Sequence, residues 1–246
     1  MPRRTRREFL ENSMFAAAAA VTANGVAPLM AADAQSTSPN EKLSVAVVGV
    51  NGRGRSHLGA FVERQDTEVT HICDADLDVA QRQAEKVAEH QGRAPIVVQD
   101  IRKLLEDESI DIVTIATPNH WHALAAIWAM QAGKDVYVEK PVSHNVAEGR
   151  VIVDVARKTD KICQTGTQCR SNPGMREAIE YVQQGGIGEV TVARGLCYKR
   201  RPSIGSPGQF DPPAAVDYSL WLGPAAMEPV TRPRFHYDWH WQFPYG

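Results

Sequence analysis

Apolar runs alternate with amphipathic stretches along the chain from residue 43 to residue 165. Residues 43–48 form a valine-rich run that ends at Gly49, the pattern of a parallel strand buried on both faces. Further strands are predicted at 69–73, 96–98, 110–116, 136–138 and 162–164, with helices at 53–65, 77–90, 101–106, 120–131 and 145–158. This alternation with short connections predicts right-handed crossovers and an α/β fold, a Rossmann-type doubly wound parallel sheet. Beyond it, a helix is predicted at 173–184 and a strand at 189–198.

The first 34 residues resemble a twin-arginine export signal. Arg6 and Arg7 precede the apolar pair Phe9 and Leu10, a short alanine-rich run follows, and residues 32–34 form an AxA cleavage site. A permanent membrane anchor is not expected, because polar residues, glycine and proline interrupt the run before it reaches about 20 apolar residues. We therefore predict a signal peptide at 1–34, a linker at 35–42 and a periplasmic or exported protein. A buried or amphipathic N-terminal helix is the alternative.

Composition excludes several classes of function. The 246 residues are 43% hydrophobic and 23% charged, which is typical of a globular protein, and the formal charge of -2 offers no general attraction for nucleic acid. The cysteines lack CxxC spacing and are interpreted as mostly buried thiols; they are Cys73, Cys163, Cys169 and Cys197. His120 and His122 have no third ligand at a suitable spacing, so no metal is expected.

The turn after the first strand carries the first candidate chemistry. Gly49, Gly52 and Gly54 lie where a dinucleotide-binding GxGxxG motif belongs, between a strand and a helix, with Asn51 in place of the second glycine. Asn tolerates a positive φ better than most residues. The helix beginning at Arg53 would present free N–H groups and a positive dipole end to a diphosphate. A tight turn without a ligand is the alternative.

Asp74 strengthens the dinucleotide interpretation. It lies 20 residues beyond Gly54 at the end of the second predicted strand, where a carboxylate accepts hydrogen bonds from the adenosine ribose. Two like charges about 4 Å apart repel by roughly 4 kcal/mol at an effective dielectric near 20, so Asp74 disfavours a 2′-phosphate. NAD is the predicted cofactor. NADP is possible if Arg53 or Arg55 reaches the same pocket.

Two further motifs follow later strands at the same carboxyl edge. Residues 117–122 read TPNHWH and residues 139–141 read EKP. With the glycine turn, the segment 164–168 (QTGTQ) and the segment 221–224 (WLGP), they resemble the Gfo/Idh/MocA oxidoreductases over residues 43–246. Within that family, the chain is most similar to a secreted branch common in bacteria that degrade carbohydrates.

The resemblance implies a set of site residues. Lys140 would contact a substrate hydroxyl near C4 of the nicotinamide, and Pro141 would be a cis proline that fixes the turn. Removal of hydride from an alcohol also requires a group that handles the hydroxyl proton, and lysine can do so if burial and a cationic neighbour lower its pKa. The predicted cofactor contacts are Gly49, Asn51, Gly52, Arg53, Gly54, Asp74, Thr117, Pro118, Asn119, His122, Glu139 and Lys140.

Each of these residues also has a purely structural alternative to its functional role. Lys140 can be a surface lysine paired with Glu139, and His120 and His122 can serve in capping and packing, although His122 is the stronger candidate for the catalytic pocket. Residues 237–241 (YDWHW) can stack on a sugar ring or pack in a core.

The resemblance implies an NAD(P)-dependent oxidoreductase that acts on a CH–OH carbon of a sugar, polyol or glycoside. Transient oxidation that enables elimination at a glycosidic bond is a variant of this activity. Residues 43–165 would form the NAD(P)-binding domain, and residues 166–246 a partial α+β substrate domain of a chain truncated before the family's GxxxDxxxH segment. A full-length form is expected to be a homo-oligomer. The alternative is a truncated, non-catalytic dinucleotide-binding or interaction protein.

Overall fold

A computed structural model describes residues 42–197, 200 and 202–246. The predicted signal peptide lies outside the described residues, as does the linker except for Lys42. No helix in the described part of the chain is long and apolar enough to cross a membrane.

The core of the fold is a parallel sheet of six strands in the order β3-β2-β1-β4-β5-β6. The strands are β1 (Leu43–Val48), β2 (Thr67–Cys73), β3 (Ile96–Val98), β4 (Ile112–Ile115), β5 (Asp135–Glu139) and β6 (Cys163–Gly166). The order reverses between β1 and β4, and open sheets of this kind bind ligands outside the carboxyl ends at that point. The predicted Rossmann-type α/β class is confirmed.

Helices connect the strands and continue beyond the sheet. They are α1 (Gly54–Val62), α2 (Leu77–Gln91), α3 (Ile101–Leu104), α4 (Asn119–Gln131), α5 (Val146–Thr159), α6 (Pro173–Gln183), α7 (Tyr218–Leu222) and α8 (Phe235–Asp238). Side-chain caps explain several starting points: Asp76 accepts a hydrogen bond from Val79 N ahead of α2, and Asn145 accepts one from Glu148 N ahead of α5.

The alternating side chains of β1 build the cores on the two faces of the sheet. Val45 and Val47 belong to one apolar cluster, which α1 and α2 cover, whereas Ala46 and Val48 belong to the other, which α3, α4 and α5 cover. Because successive side chains of a strand point to opposite faces, a strand covered on both sides is apolar throughout. This packing explains why residues 43–48 read as one apolar run.

The chain beyond β6 differs from the prediction. Residues 189–197 are not a strand, and α6 contributes no buried residue. A lone strand gains no ladder of hydrogen bonds without a neighbouring strand, which explains why the strand predicted at 189–198 is absent from its described residues, 189–197. A third apolar cluster instead joins Val216, Trp221, Leu222 and Tyr245.

The interpretation of the cysteines as mostly buried thiols is also wrong. All four are free, and Cys73 alone is buried, because it lies on the central strand β2. Cys163 is half-buried on β6, an edge strand, while Cys169 and Cys197 are exposed in the segments that follow the sheet.

Candidate functional site

A cavity of about 530 Å³ lies along the carboxyl ends of the strands, at the reversal between β1 and β4. Ligand pockets of roughly 300–1,000 Å³ enclose molecules of drug or cofactor size. All the predicted cofactor contacts line this cavity except Gly54, which lies beneath the glycine turn.

The glycine turn is packed too closely to hold side chains at two positions. Gly49 has a φ of +81°, and a Cβ there would lie 2.7 Å from Thr117 N. A Cβ on Gly54 would lie 1.9 Å from the carbonyl oxygen of Gly49. These glycines let the end of β1, the start of α1 and the loop after β4 meet below the cavity.

Asn51 takes the place of a glycine without strain. Among the described non-glycine residues, Asp160 alone has a positive φ, so the positive φ that we considered for Asn51 is not used. Arg53, the residue that precedes α1, makes no side-chain capping bond to the described first turn, and Gly52 and Arg53 at this end of the helix line the cavity. This arrangement suits the negative charge of a diphosphate.

Asp74 is anchored at the edge of the cavity by two backbone donors. Its Oδ2 accepts a hydrogen bond from Val50 N at 2.8 Å, and its Oδ1 accepts one from Asp76 N at 3.0 Å. Burial raises the pKa of Asp74, against the opposing effect of these two hydrogen bonds. Each carboxylate oxygen retains capacity to accept a further hydrogen bond, as from a ribose hydroxyl.

Glu139 collects donors from three parts of the chain. Its carboxylate is 3.0 Å from Arg53 Nε, 3.0 Å from His57 Nε2 and 2.8 Å from Gln168 Nε2. The glycine turn, helix α1 and the segment after β6 therefore meet at the end of β5. Burial favours a raised pKa for Glu139, but the hydrogen bonds from His57 and Arg53 outweigh it and the pKa is lowered.

Lys140 lies beside this buried network but is itself exposed at the mouth of the cavity. The burial that we considered for Lys140 is therefore absent from the structure. Pairing with Glu139 is absent as well, because the Glu139 carboxylate is turned toward Arg53 and His57. The Lys140–Pro141 peptide bond is cis, as predicted.

The two histidines of the TPNHWH segment are buried and differently bonded. His122 is 1% exposed, and its ring nitrogens lie 2.6 Å from Pro141 O and 2.9 Å from Thr117 O. It thereby ties the loop after β4 to the loop after β5. His120 Nε2 bonds Trp221 O, while its buried Nδ1 has no hydrogen-bond partner among the residues that the structure describes. Burial lowers the pKa of both histidines, outweighing their bonds to backbone carbonyls.

Thr117 supplies an independent test of whether a dinucleotide fits the cavity. Its Oγ1 is buried and lacks a hydrogen-bond partner within the described chain, although Thr117 lines the cavity. Such an atom is costly to bury unless a ligand or water completes its bonding. The orphaned hydroxyl, the uncapped turn of α1 and Asp74 together fit a cofactor with phosphate and ribose hydroxyl groups.

Several residues of the site were not predicted from the sequence. His57 and Gln168 hold Glu139, and His236 bonds Asp76 Oδ2 at 2.9 Å. The aromatic run 237–241, which the sequence analysis singled out, does reach the site: Tyr237, Trp239 and His240 line the cavity. Trp239 also packs against the third apolar cluster, as the core-packing interpretation predicts, while stacking on a sugar ring stays a prediction. Among the described residues, no group of three His, Cys, Asp or Glu side chains is placed to hold a metal ion.

A comparison with protein-family models identifies the family of the sheet domain. Residues 43–167, just over half of the chain, match the GFO_IDH_MocA model, described as an oxidoreductase family with an NAD-binding Rossmann fold.

Individual relatives agree with this match. An α-N-acetylgalactosaminidase of Shewanella oneidensis is 32% identical over 204 residues, which cover 75% of this chain and 44% of the relative. Among solved structures, an NAD-binding protein from Listeria innocua has a TM-score of 0.54 at 30% identity and covers 60% of this chain and 42% of its own. The 3-ketoreductase KijD10 of Actinomadura kijaniata, solved with NADP and TDP-benzene, has a TM-score of 0.53 at 26% identity and covers 58% and 43%. This chain thus spans less than half the length of these proteins.

Proposed function

We propose a function from one established premise: the chain belongs to the Gfo/Idh/MocA family of oxidoreductases with an NAD-binding Rossmann fold. We infer that it supplies the cofactor-binding half of an enzyme that moves hydride between NAD and a CH–OH carbon of a sugar, polyol or glycoside. This proposal rests mainly on one observation: the glycine turn, Asp74 and Lys140 all line the same cavity.

NAD is the preferred cofactor. Asp74 offers acceptors to ribose hydroxyls and repels a 2′-phosphate, while Arg53 is held toward Glu139 and away from charge pairing with Asp74. Arg55 does not line the cavity. Neither arginine therefore supplies the pairing that would make NADP the better ligand.

The chemistry requires one hydride and one proton to leave the alcohol. NAD, when bound, would supply the acceptor for the hydride, and the hydroxyl proton would pass to a positioned base or relay of the protein. Lys140 is the candidate for contact with the hydroxyl, because it follows β5 directly and faces the open mouth of the cavity. His122 is a positioning residue, since both of its ring nitrogens already face backbone carbonyls in the loops that frame the mouth.

A glycoside is the substrate class that the relatives favour. The Shewanella oneidensis relative is named for removal of α-N-acetylgalactosamine, and similar proteins are named glycosyl hydrolase family 109. On this variant, oxidation of a ring carbon would permit elimination of the aglycone at the glycosidic bond, water would add to the resulting double bond, and return of the hydride to the ring carbonyl would leave no net NADH.

A paired assay tests the proposal. The chain is incubated with NAD and a panel of sugars and polyols while NADH absorbance is recorded, and separately with nitrophenyl glycosides while nitrophenol release is recorded. We expect NADH formation or NAD-dependent nitrophenol release, reduced at least about 100-fold by Lys140→Met. Lys86→Met, on the exposed face of α2, is the matched control and should keep full activity.

The same assay addresses the non-catalytic alternative. Saturable NAD binding without turnover on any substrate would favour a dinucleotide-binding or interaction protein. Activity that survives Lys140→Met would remove Lys140 from the mechanism.

We also propose that residues 1–34 direct export through the twin-arginine route. The support is the order of paired arginines, apolar run and AxA site in the sequence. Replacement of Arg6 and Arg7 by lysine should retain the protein in the cytoplasm with its N-terminus uncleaved, and unchanged export of that variant would contradict the proposal.

A further inference from the structure

The segment beyond β6 is bonded to the loop that carries Asp74. Leu77 N donates to Ala215 O at 3.0 Å, and Asp217 N donates to Ala75 O at 2.9 Å. These bonds flank an antiparallel bridge between Asp76 and Val216. The loop after β2 is thereby held by residues that lie about 140 positions further along the chain.

Gln99 strengthens this connection from the end of β3. Its Nε2 lies 3.1 Å from Ala75 O and 3.2 Å from Ala215 O, so one amide bonds both segments. Residues 215–236, which we call the distal segment, also reach α4, where Trp121 Nε1 donates to Trp221 O at 2.9 Å. The distal segment therefore spans the cavity from the Asp74 side to the TPNHWH side.

His236 bonds the side chain of Asp76, the acid two positions beyond Asp74. Its Nε2 is 2.9 Å from Asp76 Oδ2, and His236 lines the same cavity as Asp74. Asp76 is 5% exposed; its Oδ1 accepts the hydrogen bond that caps α2, and its own N–H donates to Asp74 Oδ1. A chain of contacts thus runs from His236 through Asp76 to the carboxylate of Asp74.

We propose that the Asp76–His236 pair is a latch by which the distal segment sets the affinity and the NAD selectivity of the cofactor site. His236 is a positioning residue in this arrangement: it fixes Asp76, whose N–H fixes the Asp74 carboxylate that receives the ribose. The proposal rests on dinucleotide binding in the cavity and does not depend on the substrate or on turnover. It assigns part of the cofactor site to residues outside the Rossmann domain proper.

A matched pair of substitutions tests the latch. His236→Gln keeps an amide nitrogen near the position of Nε2, whereas His236→Asn is chemically equivalent but too short to reach Asp76. Dissociation constants for NAD and NADP are measured by quenching of tryptophan fluorescence, with thermal unfolding of the cofactor-free chain as a check on folding. His90→Gln, at the exposed end of α2 and away from the cavity lining, is the control substitution.

We expect His236→Asn to weaken NAD binding about tenfold, a change of about 1.4 kcal/mol, and NADP binding by less than about threefold. His236→Gln should stay within about twofold of the unaltered chain for both. A second expectation is non-additivity: once Asp76→Asn is present, His236→Asn should add less than about twofold.

Three results would overturn the latch. They are unchanged NAD binding in His236→Asn, equal weakening of NAD and NADP, and full additivity with Asp76→Asn. These failures leave the proposed function intact. Absence of NAD binding by the unaltered chain, by contrast, would overturn both the latch and the proposed function.

Discussion

Arg53 Nε donates to the carboxylate of Glu139 over 3.0 Å, although the two residues are 86 positions apart in the chain. Arg53 belongs to the glycine turn and Glu139 to the EKP segment, so this bond joins the expected diphosphate site to the loop that presents Lys140. The Arg53 side chain is 45% exposed and that of Glu139 is 7% exposed. The carboxylate thus anchors the Nε side of the guanidinium, Nη1 lies 3.5 Å from Ser56 Oγ, and Arg53 lines the cavity.

Arg53→Gln should weaken NAD binding about tenfold, because a charge-assisted bond to a phosphate contributes roughly 1.5–3 kcal/mol. The loss of folding stability should be below about 1 kcal/mol, since Arg53 is half exposed and His57 and Gln168 still bond Glu139. Fluorescence titration and urea unfolding measure the two quantities. Arg55→Gln is the control; an equal effect on NAD binding there would show that position 53 has no special role.

Gly54→Ala should destabilise the chain by several kcal/mol and abolish NAD binding. Its methyl group would lie 1.9 Å from the Gly49 carbonyl oxygen, which backbone atoms cannot accommodate without opening the turn. Gly59→Ala, in the same helix, meets no atom within 4 Å and should gain roughly 0.5–1 kcal/mol from helix propensity. Urea unfolding of both variants checks the contrast, and a Gly54→Ala chain as stable as Gly59→Ala would refute this packing.

His120→Gln should reduce the acid sensitivity of folding. Burial lowers the pKa of His120, so the unfolded chain takes up the proton first as the pH falls, and stability is lost from an unfolded-state pKa near 6.5 down through the folded one. Glutamine keeps a donor for Trp221 O but does not titrate. The stability lost between pH 7.5 and pH 5.5 should be smaller in the variant by roughly 1 kcal/mol.

Burial also lowers the pKa of His71 and His122, so the unaltered chain should lose more than His120 alone accounts for. Urea unfolding at the two pH values measures the difference. An identical loss in His120→Gln and the unaltered chain would mean that His120 does not titrate differently on folding.

Local sequence was sufficient for the sheet and for one side of the cavity. The predicted strands at 43–48 and 96–98 match β1 and β3 residue for residue. For β1 the reason is its central position, since a strand covered on both faces is almost entirely apolar, whereas β3 is a short apolar run at the edge of the sheet. Gly49, Asp74 and Glu139 follow strands β1, β2 and β5 directly or end them, so the parallel topology alone brings them to one edge.

Tertiary contacts decided what the sequence could not predict. The bond from His57 to Glu139 and the bond from His236 to Asp76 join residues 82 and 160 positions apart, and no local pattern encodes such pairs. The strand predicted at 189–198 is absent from its described residues, 189–197, for a related reason: these residues favour extended structure, but a strand also requires a neighbouring strand. Lys140 was placed at the correct sheet edge, whereas its exposure depends on loops whose paths the sequence does not specify.

The central claim is that the cavity binds NAD through the glycine turn and Asp74. The most direct test is fluorescence titration of the purified chain with NAD and with NADP, in parallel with Asp74→Ala. We predict saturable binding of NAD at least about tenfold tighter than NADP, with the preference lost in Asp74→Ala because the repulsion of the 2′-phosphate is removed. A folded chain that binds neither nucleotide, or an Asp74→Ala chain with unchanged preference, would contradict the claim.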